Sequence, residues 1–222
     1  VELCAGIPEG GTTPSYGEIK TARRVLTTTR LHVIIRPRGG DFLYSPLELE
    51  RMAADIDIAR ELGADGVVFG CLRPDGSLDT EANAMLMEHA KGLSVTFHRA
   101  FDRCADPRKA LEELIAQGFD RILTSGQQPT ALEGTPLLKE LHEQANGRII
   151  LLAGCGVNEQ NIATIAQATA IHEFHFSART AVKSKMMFSN PDVYMGAKDA
   201  DEDTLNITSA ERVANTIAQL CK

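Results

Sequence analysis

The sequence predicts an α/β fold: a (β/α)8 TIM-type barrel in a single domain spanning 1–222, with its first β-α unit missing from this chain. Three observations carry this. Short apolar strand-like runs alternate with helical patterns at a repeat of about 26 to 30 residues, the size of a βαβ unit. Seven such units can be counted, one short of a closed barrel, and the chain starts inside a strand-like run at Val1-Glu2-Leu3-Cys4-Ala5. No dinucleotide glycine fingerprint appears, and the even spacing favours the barrel over a doubly wound sheet.

Taken in order, the loop from Gly6 to Ser15 leads to a helix over about Tyr16 to Leu26. The β-branched run from Leu31 to Arg36 follows as a buried strand, ended by Pro37 and Gly39-Gly40. Ser45-Pro46-Leu47-Glu48 is a helix start, with a serine N-cap, proline at N1 and glutamate at N3. Leu49, Met52, Ala53, Ile56 and Ala59 then keep one helical face, and Gly63 ends it. Strands at Gly66–Gly70, Leu93–Arg99, Arg121–Ser125, Arg148–Ala153 and His172–Ser177 alternate with further helices. Asp106-Pro107 and Thr135-Pro136 open two of these helices, and Asn158 is expected to cap another. A long loop from Ala178 to Asn206 precedes a final helix, for which Thr208 and Glu211 suggest a capping box.

Composition narrows the function. With 43% hydrophobic and 24% charged residues the chain reads as an ordinary globular protein. A net charge of −7 argues against a nucleic-acid surface. No apolar run approaches the roughly 20 residues of a membrane span, so no membrane partner is expected. The five scattered cysteines fit reduced thiols and a cytoplasmic location better than a disulfide framework, and no leader pattern opens the chain.

The two ends of the strands differ. Plain connectors precede them, such as Leu62-Gly63-Ala64-Asp65 and Gln117-Gly118-Phe119-Asp120, with the chemistry of helix C-caps. Glycines and charges follow them, on the face where barrels of this type carry their sites. Arg36, Arg38, Arg99 and Arg179 are candidates to clamp an anion; the alternative is that they pair with Asp41, Asp102 or Glu2 to brace loops. Gly154, Gly156, Ser177 and Arg179 are a candidate phosphate cradle, against a glycine turn needed only for packing. His98, supported by Arg36, Arg99 and Asp102, is the candidate catalytic group; its alternatives are a metal ligand or a hydrogen-bonded core histidine. Cys4 is the thiol of interest, since thiolates suit Cu(I), although a buried cysteine often acts as a small hydrophobe. Cys71, Cys104 and Cys155 also follow strand ends, but no C-x-x-C spacing groups them. Lys183, Lys185, Met186, Met187, Asn190 and Met195, then Asp199, Asp201, Glu202 and Asp203, mark the long loop as a lid or a contact between copies.

Several motifs in order resemble the CutC copper homeostasis family. They are Val1-Glu2-Leu3-Cys4, Glu9-Gly10-Gly11-Thr12-Thr13-Pro14-Ser15, Ile35-Arg36-Pro37-Arg38-Gly39-Gly40-Asp41-Phe42, Thr96-Phe97-His98-Arg99-Ala100-Phe101-Asp102, Leu123-Thr124-Ser125-Gly126 and Phe174-His175-Phe176-Ser177-Ala178-Arg179. The resemblance implies a single-domain barrel, cytoplasmic and homodimeric, that handles copper and binds Cu(I) through cysteine. Cys4 matches the family's copper-associated cysteine of the second strand; the other belongs to the first strand, which this chain is expected to lack. The residues themselves also support an enzyme acting on a phosphorylated or carboxylated small metabolite through Arg36, His98, Arg99 and Gly156.

Overall fold

The computed structural model describes residues 1–190, 192–193 and 201–221, without the side chain of the last. Seven parallel strands form one sheet: β1 (Glu2–Leu3), β2 (His32–Ile34), β3 (Gly66–Phe69), β4 (Ser94–Phe97), β5 (Arg121–Thr124), β6 (Ile150–Gly154) and β7 (Glu173–His175). Their order in the sheet is their order in the chain, with helices α1 (Tyr16–Val25), α2 (Pro46–Glu61), α3 (Thr80–His89), α4 (Pro107–Gln117), α5 (Thr135–Ala145) and α6 (Ile162–Thr169) in the crossovers. This is an incomplete (β/α)8-type barrel, in which β1 and β7 are the sheet's two edges.

Local chemistry explains the helices. Ser15 and Ser45 each accept the N3 backbone N–H while Glu18 and Glu48 accept the cap N–H, two complete capping boxes. Asp79 and Asp106 cap α3 and α4. α6 starts later than the sequence suggests: Asn161 holds the N-cap position, and Asn158 instead accepts from Gln160 N in the turn before it.

The connectors before the strands do more than cap helices. Asp65, ahead of β3, accepts the Leu31 N–H at 2.8 Å, and Asp120, ahead of β5, accepts the Val95 N–H at 2.7 Å. Each thus holds the start of the preceding strand, and Arg23 pairs with Asp65 at 2.8 Å.

Alternation divides each strand between two environments. Val33, Ile35, Val67, Phe69, Val95, Phe97, Ile122 and Leu151 pack with Met52, Ile56, Leu111, Leu114, Leu138 and Leu141 of the helices in the main core. Phe119 meets Phe69 and Phe97 edge-on, each at 5.5 Å between ring centroids. Ile34, Val68, Thr96 and Leu123 are buried outside that core and line the concave side. The register Glu2↔His32↔Gly66↔Ser94 places Glu2 and His32 on this concave side as well.

The segment after β7 is not a plain loop. β8 (Arg179–Lys183) and β9 (Thr204–Thr208) pair antiparallel into an arm exposed along nearly its whole length, and α7 (Ala210–Ala218) follows. Ser209, not Thr208, caps α7, because Thr208 still belongs to β9. Met186, Met187 and Phe188 stand exposed beyond β8, whereas Met195 and Asp199 lie outside the described residues. Among the described residues no helix is long and apolar enough to cross a membrane.

Candidate functional site

The concave side opens at the C-terminal ends of the strands. Arg36 continues the alternation from His32 and Ile34, and His98 continues it from Thr96, so both belong to this side. Both are buried, at 6% and 3% exposure.

Arg36 does not reach outward as one arm of a clamp. Its Nη1 donates to the carbonyls of Glu9 (2.8 Å) and Gly11 (2.9 Å), and Nη2 donates to that of Gly40 (2.9 Å). It therefore ties the loops after β1 and β2 together. Its Nε has no partner, and its guanidinium lies over the Phe42 ring, 5.1 Å from the centroid.

His98 is not part of β4. It caps the 3-10 turn Arg99–Arg103, its Nδ1 accepting the Ala100 N–H at 3.3 Å. Burial, and then the charge of Arg36, push its pKa down to about 3, so the ring is neutral and its proton sits on Nε2. That Nε2 has no hydrogen-bond partner.

Asp102 reaches Arg99 and not His98. Its Oδ2 accepts from Arg99 Nε at 2.7 Å, and its Oδ1 accepts from Thr124 Oγ1 (2.5 Å), Ser125 N (3.0 Å) and Gln127 N (3.2 Å). This carboxylate locks the turn after β4 to the end of β5. Arg99 also donates to Ser125 Oγ at 3.1 Å.

Arg38 and Asp41 lie on the outer rim. Arg38 pairs with Glu48 at 2.6 Å and with Asp41 at 3.0 Å, and it donates to the Leu43 carbonyl at 2.8 Å. The Gly154-Cys155-Gly156 turn closes the end of β6. A Cβ on Gly154 would fall 2.5 Å from Leu123 Cδ1, and the Gly156 carbonyl accepts from Asn158 and Asn161. Ser177 is exposed and its carbonyl accepts from Thr208, while Arg179 opens the arm. The predicted arginines therefore do not converge as one cluster: Arg36 is interior, Arg38 is at the rim, and Arg99 and Arg179 lie toward the other strands.

Glu2, expected to pair with an arginine, faces His175 instead, at 3.3 Å across the gap between the two edges. Burial pushes the Glu2 carboxyl up, but the imidazole overrides it and the net shift is down; burial pushes His175 down, but Glu2 holds it above its ordinary value. Each group thus favours the charged form of the other inside the barrel.

Cys4 is half-buried, two residues after Glu2, beside Gly11. Burial, and then Glu2, push its thiol up to about 11, with Arg179 opposing them. Cys71 and Cys104 are buried and are also shifted up by burial. Among the described residues no three histidine, cysteine or carboxylate side chains are grouped to hold a metal. Sequence reasoning missed His175 and Tyr44. The signal for Tyr44 was present, since Phe42 and Tyr44 alternate after the glycine turn.

Comparisons with known proteins agree with this architecture. The CutC family profile matches residues 1–180. A Bacteroides thetaiotaomicron protein named as a CutC family protein is 67% identical over 98% of this chain and 88% of its own. A human protein named copper homeostasis protein cutC homolog is 48% identical over 99% of this chain and 81% of its own. A Streptococcus agalactiae crystal structure, assigned by its name to CutC, superposes with a TM-score of 0.77 at 42% identity, covering 79% of this chain and 86% of that one. An aldolase, QR15, shares the fold alone, with a TM-score of 0.56 at 19% identity over 72% of this chain and 73% of its own. With the family profile spanning most of its length, and relatives of this identity along nearly all of it, the chain belongs to the CutC family.

Proposed function

We propose that the chain serves copper homeostasis and takes Cu(I) as cargo through the Cys4 sulfur. The observation that supports this reading is the placement of Cys4. It is a free thiol, partly open, just beyond β1 at the mouth. A soft cation suits this sulfur better than a hard one. Linear Cu(I) needs a second soft donor, which in this reading comes from outside the described residues. The names of the human and streptococcal relatives point the same way.

A thiol raised to about 11 is protonated at neutral pH, so each Cu(I) bound releases one proton. Apparent affinity then rises about tenfold per pH unit between pH 6 and 9. An anaerobic Cu(I) competition titration, run with a chromophoric chelator on this chain and on Cys4→Ser, tests the reading. The expected result is weaker Cu(I) binding in the variant together with the pH slope in the parent. Equal binding by both proteins removes Cys4 as the ligand.

A further inference from the structure

Arg36 is a buried cation without an anion. Its hydrogen bonds go to three backbone carbonyls, and among the described residues no carboxylate stands within ion-pair distance of it. Every other arginine buried this deeply would be expected to have a counter-charge, because a lone buried guanidinium is costly. Among the described residues its Nε–H is buried and finds no acceptor.

Two more donors share the same neighbourhood. The Phe42 ring lies under the Arg36 guanidinium and also packs on the His98 ring, 4.8 Å between centroids. His98 contributes a buried Nε2–H without an acceptor, fixed in that tautomer by the Ala100 N–H on its Nδ1. The Tyr44 hydroxyl oxygen sits beside the Arg36 guanidinium, close enough to draw a weak hydrogen bond from it, and its own O–H is buried with no acceptor among the described residues. Among the described residues, then, three buried donors that border the Phe42 ring or the Arg36 guanidinium at the ends of β2 and β4 each lack an acceptor oxygen.

We propose that Arg36, Tyr44 and His98 form a subsite for the carboxylate of a small organic acid entering from the C-terminal mouth of the barrel. One formal charge matches a carboxylate better than a phosphate dianion, and the Phe42 ring supplies an apolar wall for a short carbon chain. This site, at the ends of β2 and β4, is separate from the glycine turn at Gly154–Gly156, which closes β6. It is also independent of copper binding at Cys4.

The test uses this chain with ¹⁵N-labelled histidine, titrated with sodium acetate, inorganic phosphate and sodium chloride at matched ionic strength. Acetate is expected to shift the His98 Nε2 resonance saturably, phosphate to bind more weakly, and chloride to do nothing. His98→Asn keeps an acceptor for the Ala100 N–H and deletes the Nε2–H; it is expected to weaken acetate binding about tenfold, read by calorimetry. Tyr44→Phe removes only a hydroxyl and is expected to weaken acetate binding severalfold, which keeps the proposal open to refutation if His98→Asn does not fold. Absence of a saturable acetate shift, an equal response to chloride, tighter phosphate than acetate, or Tyr44→Phe binding acetate like the parent would each overturn it.

Discussion

Asp102 offers the sharpest test of how the mouth is built. Its side chain is 6% exposed and accepts from Arg99, Thr124 Oγ1, Ser125 N and Gln127 N. Asp102→Ala strands a buried hydroxyl and two backbone N–H groups. At about 1–3 kcal/mol for each unsatisfied buried donor, and with partial relief by water, the net loss is about 3–5 kcal/mol. Asp102→Asn separates the two carboxylate oxygens. Its amide oxygen still serves Thr124, Ser125 and Gln127 from the Oδ1 position, while an NH2 now faces Arg99 and the Ser125 N–H. Arg99 is 41% exposed on its side chain, so its share of the loss is small, and the Asn variant should lose about 1–2 kcal/mol. Equilibrium urea unfolding at pH 7, followed by far-UV circular dichroism, measures both. Equal losses in the two variants, or a loss under about 1 kcal/mol in Asp102→Ala, would refute the assignment of this carboxylate to the loop lock.

The Glu2–His175 pair predicts a pH window. His175, raised in the folded state, stabilises fully below its unfolded value of 6.5 and loses that contribution as pH rises through its folded value; Glu2, lowered, stabilises fully above 4.5 and loses it as pH falls through its folded value. The urea-midpoint difference between the parent and Glu2→Gln should therefore peak between pH 4.5 and 6.5, and a difference still climbing from pH 7 to 9 would contradict the pairing. Gly134→Ala places a Cβ 1.8 Å from the Ser125 carbonyl oxygen, where only backbone movement makes room, so a loss of about 3 kcal/mol is expected in the same unfolding assay. Cys4→Ser should weaken Cu(I) binding while leaving the unfolding free energy within about 1 kcal/mol of the parent, since the position is only half-buried and a hydroxyl is still solvated there.

The repeating fold was legible because it is written locally. Ser45-Pro46-Leu47-Glu48 and Asp106-Pro107 mark helix starts through bonds that close within four residues, and each of these caps forms. The apolar runs leading into β2, β3 and β4 alternate between helix-facing and concave sides as strand geometry requires. What the sequence obscured depends on distance. Nothing near Glu2 says that β7 faces it, so an arginine seemed the natural partner until His175 appeared across the gap. The β8–β9 arm escaped notice because its strands are exposed, so no buried face imposes a strong hydrophobic pattern on them. Arg36 was marked by its glycine-rich turn, but only the folded loops show that its Nη atoms bind carbonyls and leave Nε free.

The strand order has a dynamic consequence. Because chain order and sheet order coincide, each interior strand finds both backbone partners in its immediate predecessor and successor. Strands β3 to β5 are thus laddered on both sides, and loss of one neighbour leaves the other in place. Amide hydrogen exchange is expected to be slowest around β3 to β5, which are buried along nearly their whole length, and fast in the exposed β8–β9 arm. The loops beyond β1 and β2 share the Arg36 guanidinium, so a displacement of one is felt directly by the other.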